Sequence, residues 1–290
     1  VKEIGKGRLG ALAGKFDSVE LDFLAQEINA MSVSLAKADE ERKQQMLRAR
    51  EIQEGLLPES LHTPRMNASS VFLPADDVGG DYYDILEHPD GGHLLAIADV
   101  TGHGVPAAMS AAMLKVLLLQ AVEQRAAPAE ILAYINRILV QAGVGSGFVS
   151  MALAWVNASA SRITYASAGH EPSLFLSASG RIHQLHATGM LLGIVDDGDW
   201  EDATLDVNDG DRLLMLTDGV SETLSPDDQL FGRIRIQDCL QEQRNAPVGD
   251  TLGRITEALR SHRRDGSQLD DVTMLMVELT DVASGTPGAS

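Results

Sequence analysis

The chain has 290 residues, room for one large domain plus an extension, and 44% of them are hydrophobic, enough for a substantial core. Its 42 acidic residues against 23 basic ones give a formal charge of −19, which excludes nucleic acid as a partner because phosphate backbones are bound by basic patches. The same excess suits a site that concentrates cations. A lone cysteine, Cys239, rules out an internal disulfide and points to a reducing compartment; no stretch reaches the ~20 apolar residues of a membrane span or reads as a secretory signal.

The sequence opens at Val1 without a methionine, so a longer parent protein is expected. Residues 1–17 are short, basic and punctuated by glycine. Ser18 is a suitable N-cap, and a helix is expected from there. Leu21, Leu24, Ile28, Met31, Leu35, Ala38, Arg42, Gln45, Ala49, Ile52 and Leu56 recur in alternating steps of three and four. That is a coiled-coil seam, weak at Ala38-Arg42-Gln45 in its middle. Pro58 ends the helix. At roughly 60 Å it is too long for its own domain to cover, so a parallel homodimer through this helix is expected. Ile4-Gly5-Lys6-Gly7, Glu20-Leu21, Leu24-Ala25, Asn29-Ala30-Met31 and Leu35 resemble the C-terminal half of a HAMP signalling module. The resemblance implies a partial HAMP module over residues 1–37 and a helical linker over 38–58. It also implies a missing upstream segment as the sole membrane connection, which makes the chain the cytoplasmic part of a membrane-anchored protein.

A short strand over Ala68–Leu73 leads into two β-prone runs, Tyr82–Glu87 and His93–Ala98, separated by the turn signal Pro89-Asp90-Gly91-Gly92. In a hairpin, opposed residues keep a constant sum. Asp81 and Asp99 then face each other, with Cβ atoms roughly 4.5–5.5 Å apart. Two carboxylates that close repel unless a proton or a cation lies between them. Thr101-Gly102-His103-Gly104 is a tight turn, and Val105-Pro106 opens a helix. Such a strand–turn–helix junction lets backbone approach a ligand and points amide groups outward.

The helix from Val105 to about Gln124 is apolar almost throughout its first four turns and is expected to be buried. A second helix follows over Pro128–Gln141. Strands are expected at Phe148–Val156, Arg162–Ser167, Ser173–Leu176, Arg181–Leu185, Arg212–Leu216 and Val272–Leu279, with helices near 234–243 and 248–262. The tail, 281–290, has the composition of a disordered segment. Strands run together rather than alternating with helices, which indicates α+β. Leu94–Ala98 and Leu213–Leu216 are apolar at every position, so both sheet faces are covered. Two stacked, mainly antiparallel sheets with helices outside, an αββα sandwich preceded by the long N-terminal helix, satisfy this.

Asp218 ends one strand and Asp270-Asp271 begin another. If these strands are antiparallel neighbours, their acids reach one sheet edge, near the open end of the Asp81–Asp99 hairpin. An all-oxygen set suits Mg²⁺ or Mn²⁺ rather than zinc, and the sequence carries no Cys/His cluster at zinc spacing. A pair of such ions activates water and stabilises phosphate oxygens. Spacing alone leaves Asp270 and Asp271 as alternatives.

Six motifs carry a wider resemblance: Ala49-Arg50-Glu51-Ile52-Gln53 with Leu56-Leu57-Pro58, Val78-Gly79-Gly80-Asp81-Tyr82-Tyr83-Asp84, Ala98-Asp99-Val100-Thr101-Gly102-His103-Gly104, Ser167-Ala168-Gly169-His170, Leu216-Thr217-Asp218-Gly219-Val220-Ser221-Glu222 and Asp270-Asp271-Val272-Thr273. In this order they resemble the metal-dependent protein phosphatases of the PPM, or phosphatase 2C, family. The similarity is to the bacterial branch of stage II sporulation protein E and the stress-response phosphatases that switch sigma factors. The resemblance implies a phosphatase domain over residues 59–280. It implies that Asp99 bridges two Mn²⁺ or Mg²⁺ ions, that the Val100 carbonyl binds one of them, that Asp218 and Asp270 hold the other, and that Asp81 supports the pair directly or through water. Asp270, the first acid of its pair, matches the family ligand. A metal-activated water then attacks a phosphoserine or phosphothreonine without a covalent enzyme intermediate. The implied partner is a small phosphorylated STAS-domain protein, an anti-sigma factor antagonist.

The eukaryotic relatives also hold phosphate with an early arginine, and none of the arginines before Asp81 stands in a matching motif here. His103 and His170 are weighed as a general acid against turn residues, and for His170 the turn reading is preferred. The competing function is a phosphatase-shaped binding module that sequesters its partner with little turnover; the intact acids favour the enzyme. A metal-dependent nuclease or nucleotide cyclase fits neither the charge nor the motif order.

Overall fold

The computed structural model describes residues 6, 8–14, 17–124, 127–143, 147–264 and 266–280. Ile4, Gly5 and Gly7 of the HAMP-like stretch and the tail 281–290 lie outside the described residues. The chain divides into two units, Val1–Ile52 and Gln53–Ser290.

The first unit is built on helix α1, Val19–Leu56, whose 38 residues run without a break and whose last turn belongs to the second unit. Segment 8–14 lies along one of its faces. Ala13 N–H donates to Asn29 Oδ1 at 2.6 Å, Asn29 Nδ2 returns a bond to the Ala13 carbonyl at 3.1 Å, and Ser32 Oγ donates to the Ala11 carbonyl at 2.9 Å. These contacts bury Ala25 and Ser32. The seam is a different face. Its Leu21, Leu24, Met31, Leu35 and Ile52 are 43% to 68% exposed in the single chain.

The second unit holds strands β1 (Leu61–Thr63), β2 (Met66–Leu73), β3 (Tyr82–Glu87), β4 (His93–Val100), β5 (Val149–Val156), β6 (Arg162–Ala168), β7 (Ser173–Leu176), β8 (Ile182–Leu185), β9 (Ala203–Asp206), β10 (Arg212–Leu216) and β11 (Val272–Leu279). Its helices are α2 (Val105–Val122), α3 (Pro128–Ala142), α4 (Asp218–Ser221), α5 (Gly232–Glu242) and α6 (Val248–Arg263). One sheet has the order β1-β2-β11-β10-β7-β8 and the other β3-β4-β5-β6-β9. All the pairings are antiparallel. Tyr83, Ile97, Ala152 and Tyr165 of the second sheet meet Met215, Leu275 and Val277 of the first in the central core. α2 and α3 cover the outer face of the second sheet, and α5 and α6 that of the first. This is the αββα sandwich expected from strands that are apolar on both faces.

Two register facts matter for the site. β3 and β4 pair from Tyr82↔Ala98 to Glu87↔His93, so Asp81 and Asp99 oppose each other one step beyond the ladder. β10 and β11 are antiparallel neighbours with Leu216↔Met274 paired. Asp218 and Asp270 therefore leave the first sheet at the same end. Edge strands β1 and β9 and the single-turn α4 are not anticipated from the sequence, because they are too short to carry a readable period.

Helix α2 departs from expectation. It is long and apolar enough to cross a membrane by length and composition, yet its Ala107, Ala111, Leu114 and Leu118 pack into the core. Only that inner face is buried; Met109 and Val116 on the outer face are 69% and 63% exposed. The helix is apolar all round, but sheet and α3 reach one side of it.

A buried charge pair fixes α2 on β3. Asp84 is 1% exposed and Lys115 Nζ donates to its Oδ2 at 2.9 Å, while the Tyr82 hydroxyl donates to the same oxygen. Removing one partner of a buried pair leaves an uncompensated charge. Lys115→Ala is expected to destabilise the fold by about 2–4 kcal/mol in denaturant unfolding. Lys115→Met combined with Asp84→Asn is expected to recover most of that loss.

Candidate functional site

The loop that enters β3 is gripped from two sides. Asp271 Oδ1 accepts the Ala75 amide at 2.8 Å, and its Oδ2 accepts the amides of Gly80 at 2.7 Å and Asp81 at 3.4 Å. Gln53, in the last turn of α1, donates from Nε2 to the Gly79 carbonyl at 2.7 Å and accepts the Gly79 amide at 3.1 Å. A side chain at Gly79 has no room, since a Cβ there would lie 2.2 Å from Asp271 Oδ2. Gly219 is equally constrained: its Cβ would lie 1.9 Å from the Asp271 carbonyl oxygen. That close approach seats the Asp218 turn against Asp270-Asp271.

Four acids gather on this frame. Asp81 is 2% exposed, and Thr217 Oγ1 donates to its Oδ2 at 2.8 Å. Asp99 lies in the last turn-ward positions of β4, paired with Ser150 of β5. Asp218 is the first residue of α4, and Asp270 Oδ1 accepts the Asp271 amide at 2.8 Å. Val100, at the end of β4, donates its N–H to the Gly80 carbonyl at 3.4 Å, so it joins the same loop.

The electrostatics show the acids crowding one another. Burial, and then the charges of Asp218, Asp270 and Asp271, push Asp99 up to about 7. Burial, then Asp270 and Glu222, push Asp218 up to about 6. Asp81 is raised well above the carboxylate range by burial and by Asp99, and Asp270 is raised chiefly by burial. Among the described residues, no three His, Cys, Asp or Glu side chains close to the spacing of ligands on one ion. The expected convergence is thus a shared, mutually repelling neighbourhood rather than a closed cage. As a donor set it is all oxygen and fits a hard divalent cation.

The two histidines separate. His170 is buried, its Nδ1 lies 2.7 Å from Ser150 Oγ, its Nε2 has no hydrogen-bond partner, and burial pushes it down to about 4. It is neutral near pH 7, as a turn residue. His103 is 90% exposed, 3.4 Å from Asp76 Oδ2. Sequence reasoning misses the supporting residues Gln53 and Thr217, which lie inside quoted motifs but carry no sign of their hydrogen bonds. It also misses Glu171 and Arg233. These two form a bidentate pair, Nε to Oε1 at 2.7 Å and Nη2 to Oε2 at 2.9 Å, beside a cleft of about 400 Å³ lined by Asp99 and Asp218.

The fold and the acid-lined edge define a protein of the phosphatase 2C architecture. The family profile of stage II sporulation protein E (SpoIIE) matches residues 89–280, about two thirds of the chain, and the chain belongs to that family. The matched span includes Asp99, Asp218 and Asp270; Asp81 precedes it. Among curated relatives, the phosphoserine phosphatase RsbU of Bacillus subtilis is 29% identical over 213 residues, covering 73% of this chain and 63% of RsbU. The chain therefore spans less than two thirds of that relative's length. Among solved structures, the SiaA-PP2C domain of Pseudomonas aeruginosa superposes with a TM-score of 0.74 at 24% identity, over 84% of this chain and 99% of that domain. RsbX, solved in complex with magnesium, superposes with a TM-score of 0.56 at 20% identity, over 76% of this chain and 98% of RsbX.

The crowding has a measurable sign. The native pKa of Asp99, about 7, lies above the roughly 3.9 of an unfolded aspartate. Between these values the native state binds more protons than the unfolded state, so stability falls as pH rises through that window. In EDTA, Asp99→Asn is expected to melt close to the wild type near pH 4.5 and clearly above it near pH 8, by roughly 2–4 °C for each kcal/mol of repulsion removed. The opposing effect of His170, which favours the native state as pH rises from about 4, is common to both proteins and cancels in the comparison.

Proposed function

We propose that the chain is a metal-dependent protein phosphatase that hydrolyses phosphoserine on a small regulatory protein. The observation that carries this reading is the set of carboxylates at four strand ends, drawn from both sheets and electrostatically coupled. The SpoIIE family membership, the likeness to a phosphoserine phosphatase and the magnesium in a fold neighbour support it.

In this reading two Mn²⁺ or Mg²⁺ ions supply an activated water and neutralise the phosphoryl oxygens. Asp99, Asp218, Asp270 and the Val100 carbonyl would hold these ions. Asp81 lies behind Asp99, its orientation fixed by Thr217. Burial and then the neighbouring carboxylates raise Asp99 and Asp218, and a bound cation would favour their ionised forms, so proton release would accompany metal binding. Asp271 is kept from the ions by its loop amides and serves as their acceptor. The partner is a phosphorylated STAS-domain protein of the anti-sigma factor antagonist type, by analogy with the relatives.

The N-terminal helix is the control element. It follows a partial HAMP module, dimerises through its exposed seam and joins the cytoplasmic enzyme to an upstream membrane segment. Its last turn supplies Gln53, whose amide holds Gly79, two residues from Asp81. Arg42 and Gln45 weaken the middle of the seam, and a seam with two close-lying packings can switch.

Two experiments test this. With Mn²⁺, phosphate release from a phosphoseryl STAS-domain protein is expected from the wild type and is expected to be abolished in Asp99→Asn; tight retention of the partner without release would establish the sequestering module instead. Asp270→Ala is expected to raise the metal concentration for half-maximal rate sharply at near-native stability. Asp271→Ala orphans loop amides and is expected to cost about 2–5 kcal/mol of stability with a smaller effect on metal demand; the reverse pattern would exchange the two roles.

The control element is tested by Arg42→Leu combined with Gln45→Leu. This variant is expected to dimerise more tightly in ultracentrifugation and to lock turnover high or low. A tighter dimer with an unchanged rate would reduce the helix to a tether.

A further inference from the structure

The cleft beside Asp99 and Asp218 carries four acidic side chains. Glu171 and Glu222 line it as well, and Arg233 is the one cationic side chain among its lining residues. Both glutamates add to the repulsion felt by Asp218, and both act on Arg233. Arg233 thus shares the cleft with Asp99 and Asp218, on α5, the helix that follows the Asp218 turn.

The geometry of the pair is that of a held donor. Arg233 turns Nε and Nη2 to Glu171, which is 11% exposed, while the arginine side chain remains 46% exposed. A guanidinium carries five N–H donors in a rigid fork. Two of them bind Glu171, and among the described residues Nη1 makes no hydrogen bond. A half-exposed bidentate arginine–carboxylate pair is worth about 1 kcal/mol to the fold, which does not by itself account for its place at the rim of this cleft. A cation fixed at the rim of an acidic cleft does have a chemical use. The substrate of the proposed reaction is a phosphate dianion, and the surrounding carboxylates repel it at every point the metal ions do not cover.

We propose that Arg233, positioned by Glu171, is the phosphate-binding residue of this site, its open edge contacting a phosphoryl oxygen of the phosphoserine. Glu171 does not touch substrate; it sets the plane of the guanidinium. The inference rests on the phosphatase reading above.

The test compares wild type, Arg233→Ala, Arg233→Lys and Glu171→Ala in Mn²⁺ on a phosphoseryl peptide and on p-nitrophenyl phosphate, with inorganic phosphate as competitive inhibitor. A contact made equally in the ground and transition states changes KM rather than kcat. Arg233→Ala is expected to raise KM for both substrates and the inhibition constant for phosphate by about tenfold or more, with kcat within about threefold and an unchanged melting temperature. Arg233→Lys keeps the charge and loses the fork, so it is expected to fall between. Glu171→Ala is expected to weaken phosphate inhibition less than Arg233→Ala does. An active wild type whose phosphate inhibition is unmoved by Arg233→Ala overturns this inference alone. A rise in KM for the peptide only also overturns it, because the contact is then to the peptide and not to phosphate. A wild type that releases no phosphate with any divalent ion overturns the phosphatase reading and this inference with it.

Discussion

The site depends on a few hydrogen bonds that cross from one sheet to the other. Asp271, at the head of β11, receives amides from the loop that enters β3. Thr217, at the end of β10, donates to Asp81 and accepts the amide of Thr273. β10 and β11 lie in one sheet and β3 in the other. The apolar core presses the sheets together but is non-directional and sets no register between them. These polar contacts do, and they act where the acids emerge. Each also satisfies a group that burial would otherwise leave costly.

Holding four carboxylates together works against the fold. Burial raises their pKa values, the charges of Asp218 and Asp270 add to the rise at Asp99 and that of Asp99 to the rise at Asp81, and the chain is already strongly acidic. The strands next to these acids include deeply buried runs, with Leu94–Ala98 and Leu213–Leu216 almost without exposure. Packing strength is therefore placed next to electrostatic strain. A cation reverses the sign of that strain, so the same residues that weaken the empty site would bind a divalent ion more firmly at higher pH.

Much of this was legible in the sequence. The Pro89–Gly92 turn and the flanking β-prone runs located the hairpin, and a period of two fixed Asp81 opposite Asp99. β7, β10 and β11 fall where their apolar runs end. Other features were hidden for definable reasons. α2 reads as buried because composition cannot say how many sides of a helix are covered. Gln53 and Thr217 act through single hydrogen bonds to residues distant in the chain, and no local pattern encodes such contacts. Arg233 and Glu171 are 62 residues apart in sequence and meet only once α5 folds back beside the β6–β7 turn.

The two acids of the doublet Asp270-Asp271 have different partners in the structure. Successive residues entering a strand point to opposite faces, so the two carboxylates cannot both do one job. Asp271 is committed by geometry: its oxygens take up amides of the 75–81 loop, and Gly79 and Gly219 lack side chains where its carboxylate and its carbonyl approach. Asp270 lines a cleft with Gly219 and Glu222, and one of its oxygens accepts the neighbouring Asp271 amide. Its charge acts on both Asp99 and Asp218. One acid of the pair builds the frame and the other is left with capacity for a ligand. That division requires both glycines, and so ties the GGD and TDG motifs to the DD motif through packing as much as through charge.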